Sequence, residues 1–250
     1  MTATEALYNF NVELNTIYRM PNLEADEALY WVNKAQDRFV TKRYTGYSVA
    51  KGLGVESSQK RIDDLRPLVR TMQTPVIGQN PVIMQLPSDY MHLLRLVIYT
   101  QNNCVNDLSL RTSIPKSEIY IDSSNGIQYL PVYCKQAQHD DLNVLIDDPF
   151  NTPVEDFPLY TLTSQGIELY LPPTSTIVTN KVYYIRKPSY LTVNELAPGQ
   201  YVGPFTTSGR SYSGVGDLAD YCYTEIIDNA IAMYIQSINL NKGYATDATE

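Results

Sequence analysis

The sequence predicts an α+β fold: an antiparallel β-sandwich or barrel-like domain joined to a helical bundle. Three observations carry this. Apolar residues recur at three-and-four spacing near both chain ends, the signature of amphipathic helices. Between those ends, short runs alternate apolar and polar residues and are punctuated by Pro, Gly and Asn. The best-formed β unit, Pro158–Leu191, ends in a hard stop at Lys187-Pro188. The expected division is 1–46 with 215–240 as the helical bundle and 61–193 as the β-domain. Extended loops are expected at 47–60 and 194–216, and a flexible tail at 241–250.

The first helix is expected over 2–19. Thr2 and Glu5 have capping-box spacing, and Leu7, Phe10, Leu14 and Ile17 form one apolar stripe. After Met20-Pro21-Asn22, a second helix over 23–45 carries Ala28, Val32, Ala35 and Phe39 on one face, with Trp31 beside them. Neither helix can bury its stripe alone, so the two form a hairpin that needs a further surface. The stretch 45–60 holds three Gly and three Ser without periodicity. Ile62, Leu65 and Val69 then fit either a helical turn ended by Pro67 or the start of a strand.

Strands are expected at Val76-Ile77, Val82–Met84, Leu96–Thr100, Glu118–Asp122, Ile127–Tyr133 and Leu142–Ile146. Pro87-Ser88-Asp89 has the chemistry of a helix start, so a helical turn is expected through Tyr90–Leu94. Asn125-Gly126 is the strongest hairpin turn and should pair Ile119–Ile121 with Ile127–Tyr129. Residues 147–158 make a Pro- and Asp-rich connection. In Pro158–Leu191, Ile167, Leu169 and Leu171 alternate with Glu168 and Tyr170. Val182 and Tyr184 alternate with Tyr183 and Ile185, while Pro172-Pro173 and Thr179-Asn180 supply turns between the two strands. Asn194–Gly216 contains five Gly and two Pro, and Tyr201, Phe205, Arg210 and Tyr212 make it either an interaction arm or slack. A last helix, capped by Asp217, carries Tyr223, Ile226, Ile227, Ala230, Ile231, Met233, Tyr234 and Ile238 over more than half its circumference. It is expected to be buried and to pack on both N-terminal helices.

With 250 residues and 44% apolar content, the chain can bury a sizeable core. Charged residues are only 18%, below the roughly one quarter usual in soluble domains. Tyr is abundant, with 21 copies against 5 Phe. Its apolar body and polar tip suit surfaces buried in a partner, and its strand propensity offers a plainer account. A net charge of −8 argues against a basic face gripping phosphates and is compatible with a wall past which DNA slides. Cys104, Cys134 and Cys222 are odd in number and widely spaced, which fits reduced, mostly buried thiols rather than a zinc or redox motif. The N-terminus lacks a basic and an apolar leader region, and no run is long enough to span a membrane, so assembly in a cytoplasm is expected.

No catalytic constellation emerges. His92 and His139 are isolated, with His139-Asp140-Asp141 a poor ligand set. Asp63-Asp64, Asp140-Asp141 and Asp147-Asp148 are adjacent pairs whose members point apart, the pattern of solvated loop acids. There is no phosphate-binding glycine motif and no nucleophile elbow. No cofactor, metal or catalytic residue is expected. The densest basic segment is Lys60, Arg61, Arg66 and Arg70, either helix-end charge or a partner for an acidic neighbour.

The order helix pair, Gly-rich loop, β-domain, long loop and final buried helix comes with two short motifs. These are Leu86-Pro87-Ser88-Asp89-Tyr90 and Val182-Tyr183-Tyr184-Ile185-Arg186-Lys187-Pro188. Together they resemble the head–tail adaptor (tail tubular protein A-like) proteins of short-tailed phages. The Tyr- and Asn-rich character is similar to ring proteins of crAss-like phages. The resemblance implies a non-enzymatic virion subunit at the head–tail junction. It implies self-assembly into a closed ring, typically twelvefold, that lines the DNA exit channel. It also implies contacts with the portal and with further ring or tail proteins, and DNA passing without specific binding. Expected interface residues are Tyr201, Phe205, Arg210, Tyr212, Arg61, Arg66 and Arg70. A different class, a carbohydrate-binding tail or surface module using Tyr platforms, is the alternative.

Overall fold

The computed structural model describes residues 1–18, 23–45, 59–78, 81–105, 115–195, 210–213 and 215–247. Its elements in chain order are α1 (Ala3–Tyr18), α2 (Ala25–Thr45), α3 (Gln59–Leu65), β1 (Val69–Met72), β2 (Val76–Ile77), β3 (Val82–Met84), β4 (Tyr90–Thr100), β5 (Cys104–Val105), β6 (Tyr120–Ile121), β7 (Gln128–Tyr129), β8 (Val132–Tyr133), β9 (Lys135–Gln136), α4 (Leu142–Asp147), β10 (Leu159–Thr163), β11 (Gly166–Tyr170), β12 (Ile177–Arg186), β13 (Thr192–Glu195), β14 (Arg210–Ser213) and α5 (Asp220–Asp247). Met1–Leu68 with Lys187–Glu250 form one compact unit, and Val69–Arg186 another.

The helical unit begins at a closed capping box. The Thr2 amide donates to Glu5 Oε2 at 2.8 Å and the Glu5 amide to Thr2 Oγ1 at 3.3 Å. Leu7, Phe10 and Leu14 are buried on α1, as are Ala28, Val32, Ala35 and Phe39 on α2. Ile17 departs from the expected stripe: it lies in the last turn of α1, beyond the packed face, and is exposed. The third surface comes from α5, where Tyr223, Ile226, Ile227, Ala230 and Ile231 are buried and which packs on both α1 and α2. Tyr234 of α5 makes edge-to-face contacts with Phe10 and Trp31, at 6.4 and 6.1 Å between ring centroids. The helix starts at Asp220, not beside Asp217, whose carboxylate accepts the Ser189 amide at 2.6 Å. It runs on to Asp247, well into the polar stretch that begins at Asn241.

After Pro188 the chain lies along α2. Asn33 Nδ2 donates to the Leu191 carbonyl at 2.9 Å and Asn33 Oδ1 accepts the Leu191 amide at 3.0 Å. Gln36 Nε2 donates to the Ser189 carbonyl and the Tyr190 hydroxyl to Asp37. The expected loop 194–216 is not loop at its ends. Thr192–Glu195 and Arg210–Ser213 pair antiparallel, and Val215 bridges to Thr2. The expected loop at 47–60 lies outside the described residues up to Ser58, and α3 begins at Gln59.

The β unit contains a four-stranded sheet ordered β1-β12-β4-β8 and a five-stranded sheet ordered β2-β3-β11-β10-β9. Ladders are antiparallel apart from β9 with β10, and among the described residues no sheet closes into a barrel. One apolar core takes Leu93, Leu96, Ile98, Val182 and Tyr184 from the first sheet and Val82, Met84, Tyr160, Ile167 and Leu169 from the second. The two sheets therefore pack face to face. A small sheet ordered β5-β7-β6 supplies Tyr120 and Tyr129 to a second cluster with Val97 and Tyr99. Successive β4 residues point to opposite faces, so Leu96 and Ile98 enter one cluster while Val97 and Tyr99 enter the other.

Five strand-level expectations change. Tyr90–Leu94 is not helical: Pro87-Ser88-Asp89 form a turn closed by the Tyr90 amide on the Pro87 carbonyl at 3.1 Å, and β4 runs from Tyr90 without a break. His92 is therefore a strand residue, not a turn residue. Leu142–Ile146 is helical: the Leu145 amide turns back to the Asp141 carbonyl, and among the described residues no strand pairs with the segment. Lys116–Glu118 is a tight helical turn, and the expected strand shrinks to Tyr120–Ile121. Pro131, which lacks an N–H, splits the run Ile127–Tyr133 into two strands that enter different sheets. The Asn125-Gly126 hairpin pairs as expected, with Tyr120 opposite Tyr129 and Ile121 opposite Gln128.

The strands of Pro158–Leu191 alternate as expected, with Ile167, Leu169 and Leu171 buried, but they belong to different sheets. Thr179-Asn180 is not a turn; it lies inside β12. Asn180 is buried and holds the Thr74 backbone, accepting its amide at 2.9 Å and donating to its carbonyl at 2.8 Å. Cys222 is buried and Cys134 half-buried, whereas Cys104 is exposed, contrary to the expectation of mostly buried thiols for that residue.

Candidate functional site

The two sequence motifs that carry the family resemblance meet in the β unit. The Tyr184 hydroxyl donates to Asp89 Oδ1 at 3.1 Å, and the Tyr90 and Tyr184 rings lie 6.3 Å apart. In the sheet, Tyr90 pairs with Arg186. Burial and the Asp89 contact push the Tyr184 hydroxyl pKa up. The motifs thus form a structural clasp between β12 and the start of β4.

The outer face of the four-stranded sheet is richer chemically. Arg95 donates to Glu118 at 3.0 Å and its guanidinium stacks over the Tyr183 ring at 4.1 Å. Glu118 also accepts the Tyr133 hydroxyl, and its main-chain carbonyl accepts the Tyr99 hydroxyl at 2.6 Å. Lys181 Nζ sits 5.5 Å over the Tyr99 ring. The hydrogen bond from Tyr133, with Arg95 beside it, holds the Glu118 carboxyl below the ordinary carboxylate range. The same bond pushes Tyr133 up to about 12, and burial pushes Tyr99 up to about 12. This is a tyrosine surface tied down by one carboxylate, with no free nucleophile–base pair in it.

Its pH dependence follows from those directions. The depressed Glu118 contributes stability above its ordinary value of 4.5 and loses it as pH falls below. The raised Tyr133 contributes below its ordinary value of 10.0 and loses that contribution as pH rises towards about 12. Tyr133→Phe should flatten both limbs of a urea-midpoint-against-pH profile while leaving the neutral-pH fold intact. Unchanged limbs in that variant would mean that the bond contributes nothing.

A second polar cluster lies in the helical unit. Arg43 Nε contacts Asp64 Oδ2 at 2.8 Å and Nη2 contacts Glu225 Oε2 at 2.5 Å, tying α2 to α3 and α5. Asp64 is 1% exposed at its side chain, so it is not the solvated loop acid its sequence setting implies. The Arg43 guanidinium lies 4.6 Å from the Phe39 ring centroid, and Cys222 Sγ lies 3.6 Å from Asp64 Oδ1. Burial first, then Asp64, push the Cys222 thiol up to about 11. At 2% exposure the thiol has the setting of a structural cysteine.

The third feature is an arm, Asp140–Phe157, between β9 and β10. Phe150 is 94% exposed, and Val144, Val154 and Phe157 are exposed as well. Six carboxylates accompany them, at 140, 141, 147, 148, 155 and 156, with no Lys or Arg in the segment. The arm is nonetheless braced. Asp148 accepts the Phe150 amide at 3.0 Å, the Phe157 amide bonds the Val154 carbonyl at 3.0 Å, and His139 Nε2 lies 2.7 Å from the Leu162 carbonyl oxygen. Thr100 Oγ1 donates to Glu155 at 3.4 Å. The exposed apolar side chains gathered in this segment make it a candidate contact surface.

Of the residues expected at an interface, Arg66 and Arg70 are exposed, in the turn after α3 and on β1. Arg61 lies on α3, and Arg210 and Tyr212 on β14. Tyr201 and Phe205 lie outside the described residues. The expected set omits Arg95, Glu118, Phe150 and Phe157. The available signal was the acid-and-aromatic composition of 140–157. Among the described residues, no group of three or more His, Cys, Asp or Glu is placed to hold a metal ion, and no helix is long and apolar enough to cross a membrane.

No family model matches the chain. The chain is 23% identical over 239 residues to Ring protein 4/5 of Bacteroides phage crAss001, an alignment covering 93% of this chain and 92% of that protein. The similarity extends across both compact units and supports a phage ring or structural protein at that level of description.

Proposed function

We propose that this chain is a structural subunit of a ring in the virion of a crAss-like phage, acting by assembly rather than catalysis. The observation that carries this is the likeness to a phage ring protein over nearly the full length of both chains. The finer reading is a connector at the head–tail junction: a closed ring, twelvefold by the family resemblance, that lines the DNA exit channel and bridges portal to tail. Formation in the host bacterial cytoplasm and incorporation into the virion follow from the same reading. A net charge of −8 favours it, because an acidic lumen repels phosphates and lets DNA slide. The exposed Phe150 and Phe157 and the tyrosine face around Arg95 favour it too, as surfaces made for burial against neighbours.

Multi-angle light scattering and negative-stain imaging of the purified chain, alone and with the cognate portal protein, test the proposal. Rings of one rotational symmetry, or a portal-bound ring, are expected. A chain that stays monomeric and never binds portal overturns it.

A further inference from the structure

The sheet order places two complementary surfaces at opposite edges of the β unit. Among the described residues β1 and β2 end the two sheets on one side, and Gln73–Pro75 join them. Three intervening residues reach roughly 10–14 Å, about the separation of packed sheets, so both strands lie on the same edge. β8 and β9 end the sheets on the other side, joined through Cys134 alone. The acidic arm leaves from β9, so it springs from the edge opposite β1 and β2.

The β1/β2 edge carries one charge, Arg70 on β1, and Pro75 directly before β2, devices that discourage strand-to-strand pairing but leave side chains open to docking. Here Val69, Val76 and Ile77 are all exposed, and Arg70 is the basic residue among them. The arm offers the converse: exposed Phe150 and Phe157 within a segment of six carboxylates and no cation. We propose that the Asp140–Phe157 arm of one copy of this chain docks on the β1/β2 edge of a second copy. Arg70, whose Nη1 donates to the Val69 carbonyl at 3.0 Å, meets the arm's acidic rim, and Phe150 and Phe157 pack against the exposed valine and isoleucine side chains, which alternate between the two faces of the edge. The two surfaces are different and lie at opposite edges, so the contact is head-to-tail and closes into a ring when its rotation divides a full turn. The bracing of the arm by Asp148, His139 and Thr100 lowers the ordering cost of docking. The inference rests on the ring assembly proposed above and names the surfaces that make it.

The test places the photo-crosslinker p-benzoylphenylalanine at position 150 in the full-length chain. Isotopically light and heavy copies are mixed before irradiation, and the products are mapped by mass spectrometry. Mixed light–heavy crosslinks falling within Val69–Ile77 are expected. In parallel, Phe150→Ser with Phe157→Ser should raise the concentration needed for self-association about tenfold or more. Arg70→Glu should do the same. The circular dichroism spectrum should not change in either variant, because these side chains are exposed. Crosslinks elsewhere on the second copy, within the same copy, or only to a different virion protein overturn the docking while leaving ring assembly standing. So does undiminished assembly of the double variant. A wild-type chain that never self-associates, with or without portal, overturns both.

Discussion

Arg43→Met destabilises the helical unit by about 3–5 kcal/mol, the range for removing one partner of a buried ion pair. Asp64 is 1% exposed and Arg43 supplies its guanidinium at 2.8 Å, so the variant strands a carboxylate away from water. Glu225, 37% exposed at its side chain, loses its partner at much smaller cost because water replaces it. The size of the effect therefore resides in Asp64. Adding Asp64→Leu to Arg43→Met should recover most of the loss, because an apolar pair needs no compensating charge. Urea titration followed by far-ultraviolet circular dichroism reads both variants. A loss below about 1 kcal/mol for Arg43→Met, the value of an exposed pair, would contradict the burial argument.

Gly166→Ala is expected to cost about 3 kcal/mol or more in the β unit. Gly166 adopts φ +133°, a conformation that side-chain-bearing residues rarely take. A Cβ there would stand 2.2 Å from the Met84 carbonyl oxygen, and that oxygen belongs to backbone that cannot rotate away. Relief requires β3 to separate from β11, where Met84 pairs with Ile167 in the middle of the core. Amide exchange at Ile83 and Met84 should accelerate along with the drop in melting temperature. Gly126→Ala is the matched control. It also has a positive φ, of 71°, but nothing lies within 4 Å of its added Cβ, so its cost should stay near 1 kcal/mol. Equal losses at the two positions would mean that backbone preference, not the Met84 contact, sets the effect.

The α+β class could be predicted because its determinants are local. Thr2 and Glu5 satisfy each other across three residues, and the stripes on α1 and α2 and the alternation around Leu169 repeat within single elements. Errors arose where one local signal serves two ends. Pro87-Ser88-Asp89 suits a helix start or a turn, and in the structure the Asp89 carboxylate, which a helix start would use as a cap, is occupied by Tyr184, 95 residues away. Leu142–Ile146 has strand-like content, yet it folds as a helix, and among the described residues no strand offers it a ladder. The Arg43 cluster was invisible for the same reason. Its partners lie 21 and 182 residues away, and nothing in an Asp63-Asp64 pair announces burial of one member. The connection at 147–158 was readable as Pro- and Asp-rich, but the arm's extension back to Asp140 was not, and Phe150 is held by local bracing at Asp148, with Thr100 and His139 nearby.

Asn33 and Asn180 have a consequence for how sequence change at these positions is tolerated. Each carboxamide presents one donor and one acceptor to a main-chain amide and carbonyl, at Leu191 and Thr74 respectively. Chemically, each is a peptide group borrowed from a side chain, completing a ladder where no strand is present. Aspartate keeps the shape but loses the donor, and leucine keeps the volume but loses both groups. The neighbouring apolar positions tolerate many substitutions of similar volume, whereas these two do not. Variants selected for particle assembly should therefore drift freely through the sandwich core while positions 33 and 180 stay fixed, because each of these residues serves the backbone of its own chain.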